Sequence, residues 1–333
     1  MQEQNNGNFR RRDFLARAGK AVACACGAAA AAYWLYDSKG PEAAWQEQQL
    51  VTLPDFSVQA EPGRSMCITT GPDRKQTFNK AIDLLGGIAR FIKAGDTVLI
   101  KPNIAFATPP MLGATANPKL VGHVVRLCYD RGGAKRVIVT DNSINDPASC
   151  FHLSGIGKAA NEAGARIIMP KMHFFRQTTL AGGKLIKNWP ILYGPFEKVD
   201  KVIGITPVKD HHRSGASMTM KNWYGLLGGR RNIFHQNINT IIAELATMVR
   251  PTFVVLDGTE VMMTNGPTGG SVSDLHRANT MIVSTDQVAA DSFGATLLRL
   301  TPADLPYLAK AQAAGAGTTD YKLLKPIITE MAG

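Results

Sequence analysis

Residues 97–103 read TVLIKPN, an apolar run that stops at a lysine, a proline and an asparagine. A short apolar run bounded by turn residues is typical of a strand that is buried on both faces. Six further runs of this kind lie at residues 66–69, 136–140, 166–169, 199–205, 253–256 and 280–283. The sequence therefore predicts seven buried strands, of which residues 97–100 form one.

Helical patterns separate these strands, at residues 75–93, 118–131, 155–163, 237–248 and 287–300. The pattern at 118–131 has clear ends, because Asn117 is a suitable N-cap, Pro118 fits the first turn, and Gly132 and Gly133 stop the helix. Strands that alternate with helices indicate an α/β fold, in which a mostly parallel sheet carries helices on both faces. We assign this fold to residues 65–333, and we interpret residues 37–64, rich in proline, glutamine and glutamate, as a linker with little core of its own.

The first 36 residues have the pattern of a twin-arginine export signal. Arg11 and Arg12 precede Asp13 and the apolar pair Phe14 and Leu15, and an alanine-rich run of 15 residues follows at 21–35. Because a membrane-spanning helix needs about 20 apolar residues, this run fits a signal sequence better than a span. An uncleaved membrane anchor and a basic amphipathic helix are the alternatives. The sequence thus predicts export by the twin-arginine (Tat) translocase to the periplasm, with membrane contact only through an uncleaved N-terminus.

The charge of the chain favours anionic partners. The formal net charge is +11, and residues 1–36 account for +3 of it, so about +8 belongs to the rest. Such an excess suits anionic small molecules, acidic proteins or an anionic membrane surface. Nucleic acid is not expected, because no run alternates basic with aromatic residues.

Five cysteines are present, and Cys24 and Cys26 lie in the predicted signal. The other three, Cys67, Cys128 and Cys150, form no C-x-x-C pair. We therefore expect neither a four-thiolate iron–sulfur cluster nor a structural zinc site from this chain alone. Buried small hydrophobes, with one disulfide as an option, are the expected role of these cysteines.

Polar residues follow four of the predicted strands. They are Lys101-Pro102-Asn103, Asp141-Asn142-Ser143, Lys209 with His211, and Asp257-Gly258. In open α/β sheets, ligands bind beyond the carboxyl ends of the strands. The sequence therefore predicts one site to which these loops contribute.

From about residue 65 to 317 the chain resembles the DUF362 family. The residues that carry the resemblance are Lys101-Pro102-Asn103, Gly133-Ala134, Asp141-Asn142-Ser143, Lys209-Asp210-His211, Met220-Lys221-Asn222 with Gly225, His235, Asp257-Gly258, Gly266-Pro267-Thr268-Gly269, and Asp286 with Asp291. The resemblance implies an α/β fold without an agreed reaction or proven catalytic residues. Some members carry ferredoxin-type iron–sulfur modules, and this chain lacks their cysteine motifs, which argues against a direct redox role.

Two residues are predicted to be catalytic, His211 and Lys221. An imidazole titrates near neutral pH and suits acid–base work, and lysines hold a carboxylate or phosphate by charge-assisted hydrogen bonds. The residues predicted to bind a ligand or cofactor are Lys101, Asn103, Lys209, Asn222, Asp257, Gly266 and Gly269. A structural role is the alternative for each, as an ion-paired lysine, an Asx turn or a helix cap.

Two other patterns leave alternatives open. His211 and His235 either act as acid and base, or bind a metal with Asp257 or Asp286, or are hydrogen-bonded structural histidines; metal binding ranks lowest because no metal-ligand spacing is present. Residues 265–270, NGPTGG, either hold phosphate with backbone N–H groups or form a plain flexible loop or lid.

Two functional hypotheses follow. The first is an exported α/β protein that binds an anionic small molecule or cofactor, as an enzyme or otherwise; the sequence does not name the cofactor or the reaction. The second is a noncatalytic accessory protein that docks on a redox partner protein of an iron–sulfur system, which the family resemblance suggests.

Overall fold

The structure, a computed structural model, describes residues 11–35, 50–59 and 61–331. The chain divides into two compact units between residues 48 and 49. Residues 37–49 of the predicted linker lie outside the described residues, as does residue 60.

The first unit contains the helix α1 (Arg11–Leu35), which is 25 residues long. Its segment Phe14–Tyr33, of 20 residues, is long and apolar enough to cross a membrane by length and composition. This segment exceeds the 15-residue run predicted from sequence, because the helix begins before the alanines and includes Phe14 and Leu15. A signal sequence near an N-terminus passes the same test, so the helix is compatible with a signal or an anchor.

Among the described residues, the second unit contains eleven strands. They are β1 (Met66–Thr70), β2 (Thr97–Pro102), β3 (Arg136–Val139), β4 (Arg166–Ile167), β5 (Phe175–Thr178), β6 (Trp189–Leu192), β7 (Lys201–His211), β8 (Gly215–Ser217), β9 (Phe253–Met262), β10 (Leu275–Ser284) and β11 (Ile327–Glu330). The α-helices described in this unit are α2 (Arg74–Leu84), α3 (Ile88–Phe91), α4 (Pro118–Asp130), α5 (Pro147–Leu153), α6 (Ile156–Glu162), α7 (Thr219–Asn222), α8 (Ile238–Met248), α9 (Gln287–Leu297) and α10 (Pro306–Ala313).

The large sheet has the strand order β11-β1-β10-β9-β7-β2-β3-β4, with β8 paired to β7. Strands β9, β7, β2, β3 and β4 run parallel, whereas β10 is antiparallel to both β1 and β9. A separate two-stranded sheet is formed by β5 and β6. The predicted α/β class with a mostly parallel sheet is therefore confirmed.

Helices cover both faces of the sheet because successive strand side chains point to opposite faces. On β2, Val98 and Ile100 pack in one core together with Leu120 of α4. Leu99 packs in the other core, which contains Ile241 of α8. This double burial explains why the strands read as continuous apolar runs.

All seven predicted strands are present, and the differences lie in element ends. The helix predicted at 75–93 is two helices, α2 and α3, because Gly86 and Gly87 adopt φ of +103° and +80° between them. Strand β9 continues from the predicted end at 256 to Met262, because β10 pairs with it along this length. The short elements β5, β6, β8, β11, α5 and α10 carry no strong sequence pattern and were not predicted.

Residues 50–59 fall in the predicted linker. There Leu53 and Phe56 are buried in one of the two cores. The Val51 N–H donates to the Gln177 carbonyl (2.9 Å), and the Phe56 N–H donates to the Arg250 carbonyl (3.0 Å). This part of the segment therefore packs as core, while the division into signal, linker and domain stays a prediction.

The cysteines Cys67, Cys128 and Cys150 are buried and free, so the optional disulfide is not formed between them. They act as small hydrophobes in the core that contains Val98.

Candidate functional site

A cavity of about 310 Å³ lies beyond the carboxyl ends of β2, β3 and β7. Its polar lining comprises Lys101, Asn103, Asp141, Asn142, Lys209, His211, His212, Ser217, Lys221, Asn222, Tyr224, Arg231, His235 and Thr268. The structure thus brings Lys101 together with His211 and Lys221, which lie more than 100 residues further along the chain. The roles assigned to them from sequence remain predictions.

An ion pair forms the inner wall of the cavity. The Lys101 Nζ lies 2.7 Å from Asp141 Oδ1, and both side chains are buried. Asp141 Oδ2 accepts the Ile104 N–H at 2.7 Å. Burial lowers the pKa of Lys101, and the Asp141 carboxylate partly offsets this. Lys101 is therefore held by a carboxylate of the protein itself.

Asn222 completes the coordination of Lys101. Its Oδ1 accepts from Lys101 Nζ (2.9 Å), and its Nδ2 donates to the Lys101 carbonyl (3.0 Å). Both ends of the amide are thus engaged with one residue. Asn222 positions Lys101 and has little capacity left for a ligand oxygen.

Lys209 is buried without a carboxylate partner in the described part of the chain. Its Nζ donates to the Ala114 carbonyl (2.6 Å) and to Asn103 Oδ1 (3.2 Å), and it lies 5.4 Å from the centroid of the Phe106 ring. Burial, and then the charge of Lys221, lower the pKa of Lys209 to about 7. An anion bound nearby would supply the charge that this ammonium lacks.

Lys221, on α7, is partly accessible from the cavity. Within the described residues its Nζ makes no hydrogen bond or ion pair, and its polar contact is with the Tyr224 ring, 5.3 Å from the centroid. Burial and the charge of Arg231 lower the pKa of Lys221 to about 8. The amine is consequently available to a molecule in the cavity.

Arg231 adds a further positive charge. Its Nη1 donates to the Asn142 carbonyl (2.8 Å) and its Nη2 to the Ser143 carbonyl (2.7 Å). Burial lowers its pKa, and Asp141 opposes this effect. Arg231 thereby fixes the loop after β3, through backbone atoms that lie 88 residues or more away in sequence.

The hydrogen bonds of His211 define its protonation. Its Nδ1 accepts the N–H groups of Arg213 (3.2 Å) and Ser214 (3.3 Å), so the neutral ring carries its proton on Nε2. Burial, and then the charge of Lys221, lower the pKa of His211 to about 2. At neutral pH this residue is therefore an uncharged donor from Nε2, and the acid–base role predicted for it from sequence stays a prediction.

His235 is arranged in the opposite way. Its Nδ1 lies 3.1 Å from the Asn232 carbonyl, which only accepts, so Nδ1 carries the proton and Nε2 is left as an acceptor. The Tyr224 hydroxyl donates to the Arg231 carbonyl at 2.5 Å. Burial lowers the pKa of His235 and raises that of Tyr224 to about 12. The rings of His211 and His235 are stacked with centroids 6.4 Å apart.

Asp257 lies outside the cavity, contrary to the position expected at a strand end. Because β9 extends to Met262, Asp257 is inside the strand, opposite Met281 of β10. Its Oδ2 lies 2.9 Å from Nε of Arg74, and its Oδ1 accepts the Thr259 N–H at 2.9 Å. Asp257 thus anchors the start of α2.

The loop at 265–270 contacts the cavity through Gly266, Pro267 and Thr268, while Gly269 does not line it. The Gly266 N–H points to Asp210 Oδ2 (3.4 Å), and the Gly269 N–H donates to the Asn265 carbonyl (2.9 Å). These two N–H groups are directed to partners within the protein, so they do not form the phosphate cradle that was one of the two alternatives for this loop. Gly269 adopts φ of +60°, a left-handed backbone conformation that favours glycine.

Within residues 11–35, 50–59 and 61–331, no group of three or more His, Cys, Asp or Glu side chains is arranged to hold a metal ion. The sequence left open that His211 and His235 bind a metal together with Asp257 or Asp286. Asp257 is excluded as such a ligand because its carboxylate pairs with Arg74. Asp286 caps α9, since its Oδ1 accepts the N–H groups of Val288 and Ala289.

The fold and the cavity define a class, an α/β protein whose parallel strands end at a basic cavity. The chain belongs to the DUF362 family, a domain of unknown function, whose model matches residues 98–296.

A thylakoid-associated protein of Synechocystis is 25% identical over 261 residues, which are 74% of this chain and 76% of the relative. Two solved structures are also similar. A Thermotoga maritima protein has 13% identity and a TM-score of 0.37 over 74% of this chain and 60% of its own. The lactate racemase apoprotein of Thermoanaerobacterium thermosaccharolyticum has 11% identity and a TM-score of 0.36 over 71% of this chain and 57% of its own. The chain thus spans about three fifths of the length of these two structures.

Proposed function

We propose that this protein binds a small anionic molecule, carrying a carboxylate or a phosphate, in the cavity between β2, β3, β7 and α7. The observation that carries the proposal is an excess of positive charge. Four basic side chains and one carboxylate line the cavity, and that carboxylate is already paired with Lys101. Lys209, which is buried, and Lys221 and Arg231, which are partly buried, have no carboxylate partner in the described residues, and cations of this kind attract an anion.

The donors and the size of the cavity suit such a ligand. Lys221 Nζ and the Nε2–H of His211 are without a polar partner in the described residues, and both line the cavity. Charge-assisted hydrogen bonds from these groups are stronger than neutral ones. A volume of about 310 Å³ lies at the lower end of the range for ligand sites, which favours a small molecule.

Thermal melting with sulfate, phosphate and small carboxylates tests the proposal. A ligand at about 100 times its Kd stabilises the folded state by about 2.7 kcal/mol, which is a shift of several degrees. We expect an anion-dependent shift in the unmodified protein and a clearly smaller one in Lys221→Gln. Lys158→Gln is the matched control, because Lys158 is an exposed lysine paired with Glu162 outside the cavity. An absent shift, or an equal shift in Lys221→Gln, contradicts the proposal.

We also propose that residues 1–36 are a twin-arginine export signal and that the protein works in the periplasm. Support comes from the arginine pair at the start of the helix α1, directly before an apolar segment that is compatible with a signal or an anchor. Replacing Arg11 and Arg12 together by lysine should retain the protein in the cytoplasm, whereas Arg17→Lys, in the same helix, should not. Cell fractionation measures this, and unchanged export of the double variant would exclude the twin-arginine route.

A further inference from the structure

The three lysines of the cavity have different environments. Lys101 is paired with Asp141, and Lys209 donates to the Ala114 carbonyl and Asn103 Oδ1. Lys221 alone among the three has no polar partner in the part of the chain that the structure describes. Its side chain is partly buried and lines the cavity.

A lysine in this setting is suited to covalent chemistry. A neutral amine is a nucleophile, whereas an ammonium is not, and burial next to other cations increases the neutral fraction. Burial and Arg231 bring the pKa of Lys221 to about 8, so a substantial fraction is neutral in mildly alkaline solution. No hydrogen bond within the described residues holds the lone pair of that amine away from the cavity.

We infer that Lys221 forms an imine with the carbonyl carbon of a small 2-oxo acid bound in this cavity. The inference rests on the proposed function, since the carboxylate of the 2-oxo acid is the anion. Lys209 and the Nε2–H of His211 provide the positive charge and the donor for that carboxylate. In a 2-oxo acid the carbonyl carbon is bonded directly to the carboxylate carbon. A small cavity with a reactive amine close to a second cation can therefore bind the carboxylate at the cation and present the carbonyl to the amine.

The reaction balances without an oxidant or a reductant. The Lys221 ammonium first gives up one proton, and the resulting lone pair attacks the carbonyl carbon, so that a C–N bond forms and a second proton passes from nitrogen to the carbonyl oxygen. The proton released at the start then returns to this oxygen, the C–O bond breaks and the oxygen leaves as water, so the lysine ammonium and the 2-oxo acid give a protonated imine and one water.

Reductive trapping of the full-length protein tests the inference. Pyruvate is added at about pH 8, near the pKa of Lys221, with cyanoborohydride, which reduces an imine to a stable secondary amine. We expect a mass gain equal to pyruvic acid less one oxygen atom, and peptide mapping should place it on Lys221. Lys221→Arg keeps a positive charge but cannot form the adduct, and its melting temperature without ligand checks its folding.

Labelling of Lys158, an exposed lysine, gives the background. Trapping on Lys221 well above this background, and its loss in Lys221→Arg, support the inference. Labelling of Lys221 at the background level, or an equal adduct mass in Lys221→Arg, overturns it. If sulfate still raises the melting temperature of the unmodified protein more than that of Lys221→Gln in that case, the proposed anion site stands and only the imine fails; if the two shifts are equal or absent, both fail.

Discussion

The Lys101 ammonium and the Asp141 carboxylate lie 2.7 Å apart in the protein interior, at the ends of the neighbouring strands β2 and β3. Asp141 also accepts the Ile104 N–H, and Lys101 also donates to Asn222 on α7. One ion pair therefore ties together the loop after β2, the loop after β3 and the helix that carries Lys221. The shape of the cavity depends on this pair.

Asp141→Asn should be strongly destabilising, because it leaves the Lys101 charge buried without its partner. Breaking a buried pair from one side costs about 3–5 kcal/mol of the free energy of unfolding. Urea unfolding followed by circular dichroism measures the loss. Asp83→Asn is the control, since it removes an exposed pair with Arg131 (3.5 Å), and such pairs contribute about 0–1 kcal/mol. Equal effects of the two substitutions would show that the Lys101–Asp141 pair is not structural.

Gly225→Ala should disturb the same pair. A β-carbon at Gly225 would lie 2.1 Å from Asp141 Oδ1 and 2.9 Å from Lys101 Nζ, so the pair must move or separate. Overpacking of this kind costs about 1–3 kcal/mol, and the response of the melting temperature to sulfate should also weaken. Gly270→Ala is the control, because a β-carbon at Gly270 would have no described atom within 4 Å. If Gly225→Ala is as stable as the unmodified protein, then the space between Gly225 and the Lys101–Asp141 pair accommodates a β-carbon.

The sequence predicts those structural features that depend on residues close to one another along the chain. The strand at 97–100 and the position of Lys101 just beyond it follow from a local apolar run. The predicted position of Asp257 at the end of a strand was wrong, because pairing with β10 sets the length of β9. A local sequence pattern contains no information about that pairing.

The same limit applies to the site. The sequence places Asp141 after a strand, but its partner Lys101 is identified only when β2 and β3 are seen side by side. His211 is predicted as a site residue from its position after β7, whereas its protonation depends on two N–H groups in the turn that follows. Residue types near strand ends are thus predictable, and their charge states require the folded environment.

Sulfate binding should weaken as pH rises. Burial lowers the pKa of Lys209 to about 7 and that of Lys221 to about 8 in the free protein, and a bound anion favours the ammonium forms and raises both pKa values. Binding therefore takes up protons where the pH lies between the free-state and the raised bound-state pKa values, and the affinity is greatest below about pH 7. We expect the Kd for sulfate to increase at least about tenfold between pH 6 and pH 9.

Isothermal titration calorimetry in buffers of different ionisation enthalpy measures both the Kd and the protons taken up. Sulfate does not itself titrate in this range, so the protein groups are the source of any change. A Kd independent of pH, with no proton uptake, would contradict the assignment of the two lysines as the anion contacts.

His211 should stay neutral with its proton on Nε2 over the physiological range. Its Nδ1 accepts two backbone N–H groups, and burial with the nearby Lys221 charge lowers its pKa to about 2. Two-bond ¹H–¹⁵N correlation spectra distinguish the two neutral tautomers and the charged ring. We expect the Nε2–H pattern without change from pH 5 to pH 8, with the assignment made by comparison with His211→Gln. A protonated ring, or the Nδ1–H tautomer, would remove His211 as the proposed neutral donor.

Asp291 should affect anion binding in the cavity although it does not line the cavity. From α9, its carboxylate accepts the Thr219 N–H (2.8 Å), the Met220 N–H (3.1 Å) and the Thr219 hydroxyl (2.5 Å), and so caps the start of α7. Asp291→Ala leaves these buried donors unsatisfied, at about 1–3 kcal/mol for each N–H, and releases the helix that carries Lys221.

We therefore expect Asp291→Ala to lower both the stability in urea and the shift in melting temperature that sulfate produces. Asp304→Ala is the matched control, because Asp304 caps an exposed turn through Thr301 and lies outside the cavity lining. It should leave the sulfate response intact. If Asp291→Ala loses stability but binds sulfate as tightly as the unmodified protein, then the cap supports the fold alone, and the position of Lys221 must be maintained by Asn222 and its bonds to Lys101.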